Sequence, residues 1–274
     1  MVNYGRIMAL CGSLALCSVL APGNPLPQVE KSEPQTEVVV ISTVHNDTAY
    51  FKAETLVSIL KKVNPDLLLL EFDSSFFDSS FSLLDKYQAV SLESRAATTL
   101  QGVSKVKVRP YDIEGRNKFY AEPDYFKREG ELNRELHRLY GSNGLSAEAK
   151  LLFETLLSLS AIRDSCGAER PEVINSSACD TSLEKKQHYS FGGVNRIIEL
   201  TPALKEFDAF GSLAADFWVR RNEEMTRNIV RYAKEFRGKK IVVLCGYEHR
   251  YYLRKKLKEQ AAKEDFVVRE YWNY

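Results

Sequence analysis

At 274 residues, 44% hydrophobic and 27% charged, the chain has the size and composition of one substantial domain with a real core, which excludes a low-complexity or disordered polymer. Lys and Arg number 38 against 37 Asp and Glu, a formal net charge of +1. Without a global field or a long like-charge block, nucleic acid and anionic membrane surfaces are not expected partners.

Arg6 precedes an apolar run from Ile7 to Ala21. That is the length of a signal-peptide core and is short of the roughly 20 residues of a membrane span. Residues 1–21 therefore read as a signal peptide or lipoprotein signal, with Val19 and Ala21 as small residues before a cleavage point and Cys17 as a possible acylation site. Export is expected, with a periplasmic, envelope-anchored or secreted location and membrane contact only through this segment. Residues 22–37, PGNPLPQVEKSEPQTE, are rich in Pro and polar groups and read as a flexible linker.

From residue 38 the pattern becomes that of a folded α/β domain running to residue 274. Buried strands are predicted over residues 38–42, 67–71, 106–109 and 240–246, and residues 266–271 could add a last one. A helix covers about residues 54–63, stopped by Asn64-Pro65-Asp66, and a Lys-rich helix is predicted near residues 251–262. Apolar runs separated by helices indicate a mainly parallel central sheet covered on both faces. Residues 116–238 read as a mostly helical insertion or lid. Within it lie a helix over 145–162 capped by Ser146, an irregular polar stretch over 163–195, and a helix over 216–236. Cys245, inside an apolar run, is expected to be a buried inert thiol. Cys166 and Cys179 flank a polar loop and could pair in an oxidising compartment.

Four predicted strands each deliver a titratable group to their carboxyl ends: His45, Glu71, Asp112 and His249. In open parallel sheets that edge is where ligands bind. Arg221 falls on the apolar stripe formed by Phe217, Met225, Ile229, Tyr232 and Phe236. A guanidinium facing the core needs a carboxylate or anionic ligand, unless it pairs locally with Glu224 and snorkels to water. Asp112 reads equally as a site residue or as a cap for the turn at Gly115. Asn46 and Asp47 could cap a helix or orient His45. His137, on a charged helix, is expected to face solvent, and His188 and Glu248 are set aside.

Ser42-Thr43-Val44-His45, Leu70-Glu71, Arg221-Asn222 with Met225, and Gly246-Tyr247-Glu248-His249 resemble, in this order, the motif set of the TraB/TIKI-type superfamily, a group similar to the ChaN-like lipoproteins and the erythromycin esterases. The second GxxH motif matches in full, while the first has Ser42 in place of Gly. The resemblance covers roughly residues 38–260 and thins through the insertion. It implies that His45, Glu71 and His249 act as metal ligands or catalytic bases and that Arg221 supports developing negative charge. Two imidazoles and a carboxylate suit a divalent ion such as Mn, Co or Zn, which would bring bound water near neutral pKa. Without metal, Glu71 could orient an imidazole that activates water directly.

The expectation is thus an exported hydrolase, metal-dependent, cleaving an amide (peptide) or ester bond of a peptide or small-molecule ester. The alternative is a non-catalytic envelope lipoprotein that binds haem or another small ligand.

Overall fold

The run Val38-Val39-Val40-Ile41 can bury side chains on both faces, as a strand in the middle of a parallel sheet must. It forms the centre of β1 (Thr36–Thr43). The structure, a computed structural model, describes residues 34–121 and 124–274, and these make one compact unit beginning at Pro34. The expected signal and most of the expected linker lie outside the described residues. The linker boundary is corrected where it can be seen. Residues 36 and 37 already belong to β1, because Thr36 is buried and its hydroxyl accepts the Gly238 N–H at 3.0 Å, while Glu37 N–H donates to the Lys239 carbonyl.

From β1 the chain enters α1 (Ala53–Val63), closed by Asn64 in the left-handed region (φ +52°). It returns as β2 (Leu67–Leu70), passes α2 (Leu92–Gln101) behind a Ser91/Ser94 capping box, and returns again as β3 (Lys107–Pro110). The insertion follows. It comprises α3 (Arg116–Ala121), α4 (Tyr125–Gly141), α5 (Ala147–Gly167), α6 (Pro171–Ile174), α7 (Ser177–His188), a π-helical turn (Tyr189–Gly193), α8 (Val194–Leu200) and the long α9 (Asp208–Glu235). Then come β4 (Lys240–Gly246), α10 (Tyr247–Ala261) and β5 (Phe266–Arg269). No helix among the described residues is long and apolar enough to cross a membrane.

The expected α/β architecture is present: a five-stranded, all-parallel sheet in the order β3-β2-β4-β1-β5. One core packs α1 and α2 on one face, through Leu56, Leu60 and Leu92. A second packs α9 and α10 on the other, through Met225, Ile229, Leu253 and Leu257. A third lies within the insertion itself, around Leu136, Phe153 and Ile197. After β1 the chain turns to the first face and after β4 to the second. The two loops therefore part above this adjacent pair and open a crevice at its carboxyl end.

The stretch 163–195 is helical, not irregular. Its periodicity is hard to see because the buried face of α7 is half polar: Cys179, Asp180, Leu183 and Gln187. Asp180 faces inward to meet the fully buried Arg250 (2.5 Å), and Gln187 to meet Glu248 (2.8 Å). Helix α9 begins at Asp208, eight residues before the predicted start, because Phe210, Gly211 and Ala214 extend its buried stripe into the third core. Helix α10 starts directly from β4, which puts His249 in its first turn. Cys166 and Cys179 are free thiols, and Cys245 is buried with its thiol pushed up by burial.

Candidate functional site

Three-residue turns follow both β1 and β2. Asn46 N–H donates to the Val44 carbonyl at 2.8 Å around His45, and Phe72 N–H donates to the Leu70 carbonyl at 2.7 Å around Glu71. Such turns fold the central side chain back over the end of its strand. His45 adopts φ +63°, a region unfavourable for residues with a side chain and commonest at functional positions. It is held there by Leu92 N–H donating to its carbonyl at 2.7 Å, and by its ring, whose Nδ1 lies 2.8 Å from Glu93 Oε1.

Gly246 ends β4 opposite Thr43, and its N–H donates to Glu71 Oε2 at 2.6 Å. A Cβ at this position would stand 2.7 Å from His45 Nε2 and 3.5 Å from Glu71 Oε2. The glycine of the second GxxH motif is therefore required by contact. The imidazole and the carboxylate close over its bare Cα, and His45 Nε2 lies beside Glu71. In the first motif, Ser42 is buried where glycine was expected. Its hydroxyl bonds Asn175, whose side-chain amide also accepts the Ser42 N–H at 2.8 Å and donates to the Ser42 carbonyl. Because β5 pairs only with residues 36–39, Asn175 stands in for the missing neighbour strand.

Arg221 faces the core and does not pair with Glu224, which bonds Arg227 instead. It grips Asp112 with two prongs, forms an ion pair with Glu71, and donates from Nη1 to His249 Nε2 at 3.1 Å. His249 Nδ1 lies 2.8 Å from Asn222 Oδ1, so this nitrogen carries the proton and Nε2 accepts. Trp218 stacks on the same ring at 4.3 Å. Burial and the Arg221 charge lower the His249 pKa to about 4, leaving the imidazole neutral. Burial also opposes the charge of Glu71, yet its carboxyl is held well below the usual range. With His249 neutral, the direct ion pair with Arg221 is the cause. His45 goes the other way. Its side chain is half exposed, so the desolvation that lowers its pKa is partial, and the Glu93 hydrogen bond and the charges of Glu93 and Glu71 raise it to about 9.

A cleft of about 290 Å³ opens over this edge, lined by His45, Glu71, Glu93, Arg116, Ser91 and Phe76 among others. Arg116 Nη1 donates to the Glu71 carbonyl and to Asp112 Oδ2, each at 3.2 Å, while its Nε has no partner. Three cations (His45, Arg116, Arg221) face three carboxylates (Glu71, Glu93, Asp112), so the site as a whole is balanced.

The sequence-predicted residues are thus brought together, but not as a metal set. Among the described residues no group of three or more His, Cys, Asp or Glu side chains is arranged to hold a metal ion. His249 Nε2 and Glu71 Oε1 lie 3.6 Å apart, but Arg221 donates to both, the other His249 nitrogen is engaged by Asn222, and the second Glu71 oxygen accepts the Gly246 N–H. A divalent cation does not fit that arrangement.

Glu93 and Arg116 escaped the sequence reading as site residues, and Asn222 entered it only as part of the Arg221-Asn222 motif, with no role assigned. Glu93 had one local signal, an acid in the first turn of a helix opened by Ser91 and Ser94. Nothing local pairs it with a residue 48 positions away. Asp112 serves both roles left open for it, gripping Arg221 and accepting the Ile113 N–H at 2.8 Å. Asp47 caps α1 through the Ala53 N–H. His137 is exposed, as expected, and so is His188.

No protein-family model, no curated protein and no solved structure matches this chain. The resemblance to the TraB/TIKI-type superfamily rests on the four short motifs and their order.

Proposed function

We propose that the chain is a hydrolase cleaving an amide or ester bond in an uncharged part of its substrate, with His45 as the group that takes a proton from water. One observation carries this reading: Glu93 fixes His45 through Nδ1 and leaves Nε2 beside Glu71 in an open cleft. A carboxylate behind an imidazole sets the tautomer and raises its basicity, the division of labour that general-base catalysis needs.

In this reading His45 Nε2 accepts one proton of a water that Glu71 orients, and the water oxygen bonds to the substrate carbonyl carbon. The carbonyl oxygen gains negative charge, which the Arg116 guanidinium in the cleft lining stabilises. As the carbon–nitrogen or carbon–oxygen bond breaks, His45 returns its proton to the leaving group. Arg221 was expected to support the charged intermediate. Its donors are spent on Asp112, Glu71 and His249, so its role is to hold Glu71 in place. With His45 neutral in the reacting form, Arg116 and Arg221 face three carboxylates, and a site with this slight negative excess suits a neutral carbonyl substrate better than an anion. The apolar segment at residues 7–21 supports action after export.

The test is a pH profile of kcat/KM on 4-nitrophenyl esters and peptide 4-nitroanilides. The rate is expected to rise through about pH 9, the His45 value. Glu93→Gln should move that rise down toward the ordinary histidine range near 6.5 while lowering the plateau. Unchanged hydrolysis in His45→Ala, or a limb that ignores Glu93→Gln, would sink the reading.

A further inference from the structure

A second, larger cleft of about 630 Å³ lies within the insertion, between α3, α4, α5, α7, the π-helical turn and α9. It shares no lining residue with the His45 cleft. Its volume is in the range of small-molecule sites. Tyr120, Tyr125, Phe126, Phe191 and Trp218 bring aromatic surface to it, with Phe191 stacked on Trp218 at 5.3 Å. The π-helical turn presents Ser190 and Phe191 to the cleft. Such turns replace regular hydrogen bonding and recur at functional positions.

The charged groups of the lining are matched, with one exception. Glu248 accepts from Arg163 (3.1 Å), Lys186 (3.3 Å) and Gln187 (2.8 Å). Glu129 has no ion pair or hydrogen bond with any described residue, and Lys186, the opposing charge that acts on it, is engaged with Glu248. An unmatched carboxylate in a concavity walled by aromatic faces has the complementarity of a cation site, since ring faces and carboxylate both attract an ammonium.

We infer that this cleft binds a small aromatic amine: an aromatic ring seated against Phe191, with a primary ammonium paired to Glu129. The site is independent of the hydrolase reading, since binding here needs no turnover. Trp218 would report occupancy, because it lies in the cleft wall directly behind Phe191 in the stack.

The chain has two tryptophans, and Trp272 is half exposed, so Trp272→Phe in the full-length protein leaves Trp218 as the sole fluorescence reporter. Phenethylamine is titrated beside 2-phenylethanol and phenylacetate, which keep the ring and change the charge. Saturable change of Trp218 emission is expected with phenethylamine, about tenfold weaker with the alcohol, and absent with the acid. Glu129→Gln, a substitution on an exposed residue, should bring amine and alcohol within about twofold of each other. Ser190→Trp, read by displacement of labelled phenethylamine, should abolish binding by filling the cleft. No saturation with the amine, equal binding of amine and alcohol, or selectivity that survives Glu129→Gln each overturns the inference.

Discussion

Arg221 and Asp112 meet in a two-pronged contact, Nε to Oδ1 at 2.9 Å and Nη2 to Oδ2 at 2.8 Å, with both side chains almost fully buried. The planar fork lets one cation serve a carboxylate, a second carboxylate and a neutral histidine at once. Removing it strands Glu71 and Asp112 in the interior. Arg221→Met is expected to cost about 3–5 kcal/mol, read from urea unfolding midpoints. Arg221→Lys should recover little, because a single ammonium cannot make the fork; full recovery would mean that charge alone matters here.

Gly246→Ala adds one methyl group at the most crowded point of the site. The His45 ring must yield, since its Nε2 and Cε1 lie 2.7 and 3.2 Å from the new atom. A stability loss of about 1–3 kcal/mol is expected from overpacking. The His45 imidazole signals should move in a carbon–proton NMR spectrum, and its pKa should fall as it leaves Glu71. An unperturbed His45 titration would contradict the geometry described.

The histidines should shape stability against pH from opposite sides. His249 has its folded pKa lowered to about 4, so the unfolded chain binds the extra proton between pH 6.5 and 4. Stability is therefore lost as pH falls through that window, by up to about 3 kcal/mol, and His249→Gln should flatten the slope. His45 has its folded pKa raised to about 9. Its contribution is complete below about 6.5 and lost as pH rises through 9, a slope that Glu93→Gln should remove. Unfolding midpoints across pH 4.5 to 9.5, wild type beside both variants, check both signs.

Divalent ions provide a separate test. With Arg221 bonded to both Glu71 and His249, added Mn, Co or Zn is expected to leave the unfolding midpoint unchanged, since a ligand that does not bind the native state cannot stabilise it. A midpoint raised by one of these ions in the wild type, and not in His45→Ala or His249→Ala, would restore the His/Glu/His centre that the motif resemblance implies.

Ser42→Gly would turn the first motif into a full GxxH. It should nevertheless destabilise the protein by about 0.5–2 kcal/mol, because it deletes the hydroxyl that bonds Asn175 and frees the backbone. Thermal unfolding decides; a neutral or stabilising outcome would deny Asn175 its part in fixing β1.

Much of this was legible because it depends on local pattern. The strand over 240–246 and the end of α1 at Val63 follow from apolar runs and from Asn64-Pro65, and Arg221 was placed inward by its spacing from Phe217 and Met225. What stayed hidden depends on partners distant in sequence. Asp180 and Gln187 sit on a buried face that simple hydrophobic periodicity scores as solvent-exposed. Glu93 becomes a site residue only when β1 and α2 are brought side by side. The chemistry inferred from the motifs changed for a related reason. Residue types suggested a metal set, but the direction of the Arg221 side chain, which no sequence pattern records, commits the acceptor atoms of two of the ligands to a guanidinium.

The position of β4 has a consequence for how the chain is made. It lies between β1 and β2 in the sheet yet follows the whole insertion in sequence. On a ribosome, the first three strands emerge with a vacant slot between β1 and β2, two unpaired edges facing each other, until residue 246 has been synthesised. Open edges of this kind are where chains add to one another. A nascent polypeptide halted before Lys240 would be the form most prone to self-association and most dependent on a chaperone.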